Sequence, residues 1–494
     1  MRFSVWLATW VLATMLVGCN SQLEPVRIVI TPTPSNAVVQ VATESPTPEV
    51  PSQTPIPMQI VQESTSAPTL ATPSATPSPT STPEPSWTPI PGDGTYIGSI
   101  LSGAVSLPQS VPTVEPLPVT QTTVPSPTSP IAISQPEVSA VVAPVLDSAQ
   151  MGVQVYYNMS LDDFGQVVFL VNQMRFGWIK FQVNWAFWQP GGPEEVNERF
   201  LTFEQSIQLA KNRGLRVILS VAKAPSWARS IQEEDGPPDD PQALANFMRL
   251  LIQRVKPENI DAIEIWNEPN LAREWRGTLP FNGAGYMQLF RPSYDVIRQE
   301  APQTLILTAG LAPTGDSPVS VNDRDFLQQM FDNGLSNYEF VGVGIHPYGW
   351  ANPPDALCCD MSGARGWDDD PHFFFLNNLN DYREILVRNG YADRQLWVTE
   401  FGWPSWQGFP NDPPELWLGE LSLEQQAQYV LRAFQIGQER EDIGPMILWN
   451  FNFANAEMIE SRNEIAAYSI FVPNFGPGDP LFKRPLYDAL INRP

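Results

Sequence analysis

From residue 148 onward the apolar positions follow two alternating patterns. Runs of strand length are succeeded by stretches in which apolar residues recur with helical period. The first run is "GVQVYYN" (152–158), and a helix opens after it at Ser160-Leu161-Asp162-Asp163, where a serine and acids suit an N-terminus. "WIKFQVNW" (178–185) precedes a helix near 202–213, and "LRVILSVAK" (215–223) precedes one from Pro241 to about Val255. "IDAIEIWNE" (260–268) is trailed by a helix near 284–299, "TLILTAGL" (304–311) by one near 322–333, and "FVGVGIHPY" (340–348) by one near 374–389. "QLWVTEFG" (395–402) leads to a helix at 422–438; "MILWNFNF" (446–453) is the eighth strand, with a last helix over 481–491.

Eight strand-then-helix units predict an α/β fold, a (β/α)8 TIM barrel over residues 148–494. A doubly wound open sheet is the competing architecture. It places a Gly-rich phosphate loop after the first strand, and none follows Asn158. In a barrel of this kind the chemistry gathers at the C-terminal strand ends and the loops beyond them.

The first third of the chain has neither pattern. Residues 20–147 are rich in Pro, Thr, Ser and Val, with few charges. Such a segment cannot bury enough apolar surface to offset the entropy of ordering it, which predicts a disordered Pro/Thr/Ser-rich linker. As a flexible coil it reaches on the order of 60 Å. Ahead of it, residues 1–19 carry Arg2, an apolar run short for a membrane span, and Leu16-Val17-Gly18-Cys19. This resembles a bacterial lipoprotein signal with a lipobox, which implies cleavage before Cys19 and its lipidation. An uncleaved N-terminal anchor is the alternative. Both predict an exported, membrane-attached protein with its barrel outside the cytoplasm.

The formal charge of −25 argues against nucleic acid as a partner and weakly against polyanionic substrates. With two histidines, and Cys358 and Cys359 as the cysteines besides Cys19, no metal site and no cofactor are expected. A bond between the adjacent cysteines and a pair of plain thiols both remain open. A monomer is expected.

Polar residues do gather at the strand ends. Along strand four, alternation places Glu264, Trp266 and Glu268 on one face, with Glu268 at the mouth and Glu264 deeper. Strand seven ends at Glu400, with Leu396 and Val398 expected behind it on the same face. Two glutamates then face each other across a cleft, as glycosidic bond cleavage requires: one donates a proton to the leaving oxygen and the other lies near the anomeric carbon. The nearby negative charge of Glu400 is expected to raise the pKa of Glu268. Taken singly, either glutamate has a structural alternative, as a helix cap or an ion-pair partner.

Trp266-Asn267-Glu268-Pro269 on strand four, with Thr399-Glu400-Phe401-Gly402 on strand seven, resembles the retaining glycoside hydrolases of clan A. The longer "EIWNEPNL" looks most like family 39, with families 5 and 51 close behind. The resemblance spans about residues 148–492 and implies Glu268 as acid/base and Glu400 as nucleophile. It also implies that Asn267 holds the sugar 2-hydroxyl, that His346 and Tyr348 orient sugar and nucleophile, and that Trp449 floors the sugar site. Many members carry an arginine near the nucleophile where this chain has Lys180, which supplies the charge without the planar fork.

Asn184, Trp185 and Trp403 join these as candidate substrate contacts at the ends of strands two and seven. Trp188, Trp227, Trp275 and Trp350 are further aromatic candidates, about half of which should be core. The loop 352–372 is long for its place, and its Asp368-Asp369-Asp370 run is expected to be a solvated acidic stretch rather than a calcium site. The function expected is retaining hydrolysis of a neutral oligo- or polysaccharide. A non-catalytic, lipid-anchored carbohydrate-binding protein and a transglycosylase are the alternatives.

Overall fold

In the computed structural model, residues 145–359, 363, 365–475 and 481–493 are described. The expected signal peptide, Cys19 and all but the last three residues of the expected linker lie outside these. Eight parallel strands close into a barrel in sequence order: β1 (Met151–Gln154), β2 (Trp178–Asn184), β3 (Arg216–Ala222), β4 (Ala262–Ile265), β5 (Leu305–Thr308), β6 (Val341–Ile345), β7 (Leu396–Phe401) and β8 (Ile443–Leu448). β8 pairs back onto β1 through Gly152 and Ile447.

The crossovers are helices α1 (Leu161–Gln173), α2 (Phe200–Asn212), α3 (Pro241–Val255), α4 (Gly283–Glu300), α5 (Asp323–Asp332), α6 (Phe375–Arg388) and α7 (Leu423–Gln438), with α8 (Pro485–Asn492) at the C-terminus. Their starts follow local chemistry. Ser160 accepts from the Asp163 amide at the head of α1, Asp240 caps α3 ahead of Pro241, and Ser422 with Gln425 forms a reciprocal capping box on α7. Among the described residues no helix is long and apolar enough to cross a membrane.

The barrel floor is apolar: Trp178, Ile218, Ala262, Leu307 and Ile447 form one cluster, with Trp397 packed edge-on to Trp178. One layer higher the filling turns polar, with Gln154, Lys180, Ser220 and Glu264 all buried.

Four local departures from the expected pattern matter. β4 ends at Ile265, and Trp266 (φ 75°) and Glu268 (φ 41°) adopt left-handed backbone, each at a cost of about 1–2 kcal/mol for a residue with a side chain. Alternation stops there, so Trp266 does not share Glu264's face. It packs on Trp275 and donates to the Glu274 carbonyl instead.

On β7 the expected face is also wrong. Leu396 and Val398 pack in the main core outside the barrel, while Trp397 points into the lumen. Val398 pairs with Met446 and Phe401 with Leu448, three steps on one strand against two on its neighbour. That extra residue is a β-bulge, and it is what lets Glu400 join the lumen.

β8 begins earlier than predicted and stops at Leu448, leaving Trp449 just beyond it. The last helix starts at Pro485 rather than 481, because proline fits the first helical position and holds Arg484 extended. Leu481–Lys483 instead pairs antiparallel with Phe471–Pro473.

In the long loop, Cys358 and Cys359 are joined in a disulfide. Asp368 is not solvated: it is buried and accepts from the Gly363 and Arg365 amides and the Arg365 side chain. Of the three aspartates only Asp369 is exposed.

Candidate active site

The mouth of the barrel brings together residues from six strands and the segments just beyond them. Glu268 reaches it because the left-handed turn after β4 lets its amide donate to the Gly310 carbonyl at 3.0 Å. Glycine at 310 leaves room for this approach: a Cβ there would collide with the His346 ring and lie 2.6 Å from Thr399 Oγ1.

His346, after β6, ties the two carboxylates together. Its Nδ1 lies 3.1 Å from Glu268 Oε1 and 3.8 Å from Glu400 Oε2. The two oxygens are therefore at most about 7 Å apart, close enough to act on one sugar ring. Glu400 is held from both sides: Lys180 donates to Oε1 at 3.0 Å and Tyr348 to Oε2 at 3.0 Å. Lys180 also donates to the Thr399 carbonyl at 3.1 Å and pairs with Glu264 at 2.9 Å. Glu264 is fully buried, as its depth on β4 suggested.

Trp449 is half-buried beside the pair, with Tyr468 at 5.1 Å and Tyr348 at 6.0 Å between ring centres. Asn267 is half-buried, and its side-chain oxygen has no hydrogen-bond partner.

The electrostatics differ from expectation at one point. Burial raises the Glu268 carboxyl, but the hydrogen bond and charge of His346, with Arg273, outweigh it and hold Glu268 below its usual value. Burial lowers the His346 imidazole, yet Glu400 and Glu268 together lift it above its ordinary range. The two shifts run in opposite directions, so this hydrogen bond favours a proton on the imidazole over one on the carboxyl, the reverse of the expectation for Glu268. Burial works against the charge of Lys180 as well, and Glu264 with Glu400 more than restores it.

Three predicted contacts turn away from the mouth. Trp185 is fully buried, stacked on Phe247 of α3 and bonded to Gln189. Trp403 is 1 % exposed and donates to the Asn352 carbonyl. Asn184 caps the single helical turn Trp185–Trp188 by accepting from the Phe187 amide. Trp188 and Trp275 are core too, while Trp227 and Trp350 remain half-exposed.

Sequence reasoning missed Arg273, whose guanidinium lies 3.5 Å from Glu268 Oε2. It comes from a 3-10 turn, Ala272–Glu274, that folds the β4 loop back on itself. It also missed Glu464 and Tyr468, which lie in the connection after β8. No periodicity marks either.

Residues 146–430 match the model of the cellulase family, glycosyl hydrolase family 5. The chain belongs to glycosyl hydrolase family 5. The clan that the two motifs suggested therefore stands, and family 5 was one of the three families resembled. Among solved structures, a family 39 glycoside hydrolase from the gut symbiont Bacteroides cellulosilyticus WH2 shares the fold at 17% identity and TM-score 0.51, over 71% of this chain and 65% of that one. Thermotoga maritima Cel5A in complex with cellobiose gives 14% identity and TM-score 0.43, over 69% of this chain and 97% of that one. The cellulose synthase subunit Z of Clostridioides difficile gives 12% and 0.44, over 70% and 100%. No curated protein sequence matches the chain. The family 5 barrel is a glycosidase by this membership, and its two carboxylates share one cleft.

Proposed function

We propose that this protein hydrolyses the glycosidic bonds of a neutral oligo- or polysaccharide with retention of configuration, Glu400 as nucleophile and Glu268 as acid/base. The observation that carries the reading is the His346-bridged carboxylate pair, with Lys180 and Tyr348 donating to the two oxygens of Glu400.

In the first step a Glu400 oxygen attacks the anomeric carbon while the bond to the leaving oxygen breaks. The proton held between His346 and Glu268 passes along their 3.1 Å hydrogen bond to Glu268 and on to the leaving oxygen. In the second step water attacks the same carbon and gives its proton to Glu268. The ester bond breaks, and its electron pair returns to Glu400. Trp449 supplies an apolar ring for the C–H face of the sugar, and Asn267 an acceptor for its 2-hydroxyl. The family's name makes β-linked glucans the first substrates to test.

The test is a 2-deoxy-2-fluoro-β-cellobiosyl fluoride, which is expected to leave a covalent adduct on the peptide containing Glu400. E400A should be inactive, and azide should restore turnover. Full activity in E400A would overturn the nucleophile assignment. A chain that binds glucans with both glutamates intact but cleaves none would favour a binding protein.

We also propose export as a monomer, with a lipid on Cys19 and residues 20–147 as the tether. C19A is expected to move the enzyme from the membrane fraction to the medium; unchanged membrane retention would refute the lipid anchor.

A further inference from the structure

Lys180 and Glu264 form a fully buried ion pair in contact with the nucleophile, and the double displacement just described gives Glu264 no part. We propose that Glu264 is a positioning residue for the second half of the reaction, keeping Lys180 charged against Glu400 while Glu400 is tied up as the glycosyl ester.

The Lys180 ammonium donates to Glu400 Oε1 and to the Thr399 carbonyl, and it lies 2.9 Å from Glu264 Oε2 as an ion pair. In the resting site two carboxylates share one cation. Once Glu400 carries the sugar it has no formal charge, and Glu264 is the remaining anion touching Lys180. A buried ammonium facing only carbonyl oxygens would be strongly disfavoured and would shed its proton to solvent. That charge counts most in the hydrolytic step. When water displaces the sugar, negative charge develops on Glu400, and an ammonium 3.0 Å away stabilises it far better than a neutral amine.

Glu264 is fixed independently of Lys180. Its other oxygen accepts from the Gly310 amide at 3.1 Å, and the Gly310 carbonyl in turn accepts from the Glu268 amide. The remaining groups around Lys180 cannot substitute for it. His346, just after β6, is held above its ordinary range and opposes a second cation. Glu268 is engaged by His346 and Arg273. β1 and β3 present neutral Gln154 and Ser220 at that level. An arginine at position 180 would need no such counter-ion, since guanidinium does not lose its proton.

The inference rests on the double-displacement reading, and the experiment separates the two. Pre-steady-state turnover of 2,4-dinitrophenyl β-cellobioside by the full chain resolves both steps. E264Q is expected to release the first equivalent of dinitrophenol at close to the wild-type rate. Its kcat should fall about 10- to 100-fold with KM falling in parallel, because the ester accumulates. The deficit should grow as pH rises from 6 to 8, as Lys180 loses its proton in the ester. K180R/E264Q should abolish that extra pH dependence.

An equal loss in burst and steady state, or a pH-independent loss unchanged by K180R, would overturn the proposal. Failure of both E264Q and K180R/E264Q to fold would assign Glu264 to the scaffold alone and overturn it too. If wild type forms no adduct on Glu400, the double-displacement reading itself fails, and that is visible before any variant is made.

Discussion

His346 donates the one short contact to Glu268, 3.1 Å from Nδ1 to Oε1, and in doing so holds the acid/base below and itself above their ordinary pKa values. An imidazole raised in this way keeps its proton until the pH climbs through its elevated value. The alkaline limb of kcat/KM should therefore report loss of that shared proton, above the usual histidine range of about 6.5. H346Q removes the high-affinity site, so the limb should move to lower pH and kcat/KM should fall about 10²-fold. A limb that stays in place would show that the proton is held elsewhere.

The buried and half-exposed tryptophans should separate by what they disturb. W449A is expected to lower kcat/KM with little change in melting temperature. W185A and W403A empty fully packed positions and should cost about 3–5 kcal/mol of stability. Thermal melts alongside kinetics distinguish the classes; a W185A enzyme of normal stability with selectively raised KM would return Trp185 to the cleft.

Strand and helix order was legible in the sequence because each element repeats its period over several turns or alternations. Both glutamates were legible because strand ends are where such a barrel works. The side chains that were misplaced sit where the period breaks. Glu400 reaches the lumen through a bulge, and Trp266 leaves it through a left-handed residue; neither device leaves a mark in an apolar pattern. Trp185 and Trp403 illustrate a different loss, since a strand end specifies level in the barrel but not which way an aromatic ring turns. The place of Arg273 and the downward shift of the Glu268 carboxyl depend on loop closure, which no local pattern encodes.

Glu274 should impose a pH dependence on stability. Burial pushes its carboxyl up to about 7, against the opposing charges of Lys223 and Arg273, and one of its oxygens is buried without a partner. The folded state thus binds this proton more tightly than the unfolded chain, whose value is near 4.3. Stability from this group is full below about 4.3 and is lost as pH rises through 7, a loss of about 4 kcal/mol as an upper figure. E274Q should flatten the profile and melt higher than wild type at pH 8. Parallel pH profiles for the two would contradict it.

At Gly310, alanine adds a methyl where the His346 ring and Thr399 already stand. G310A should cost about 1–3 kcal/mol by overpacking and should reduce kcat more than it raises KM, because both Glu264 and Glu268 bond to this peptide. A stable G310A enzyme with wild-type kcat would show that the mouth relaxes around the methyl.

The irregular pairing of β7 with β8 sets regularity and catalysis against each other at a single point. Strict alternation onward from Val398, with no bulge, would knit a regular ladder there but would turn Glu400 toward the helices instead of the sugar. Sheet order and reactivity cannot both be maximal at Glu400, so a stabilised descendant of this barrel has to find its gains away from that edge.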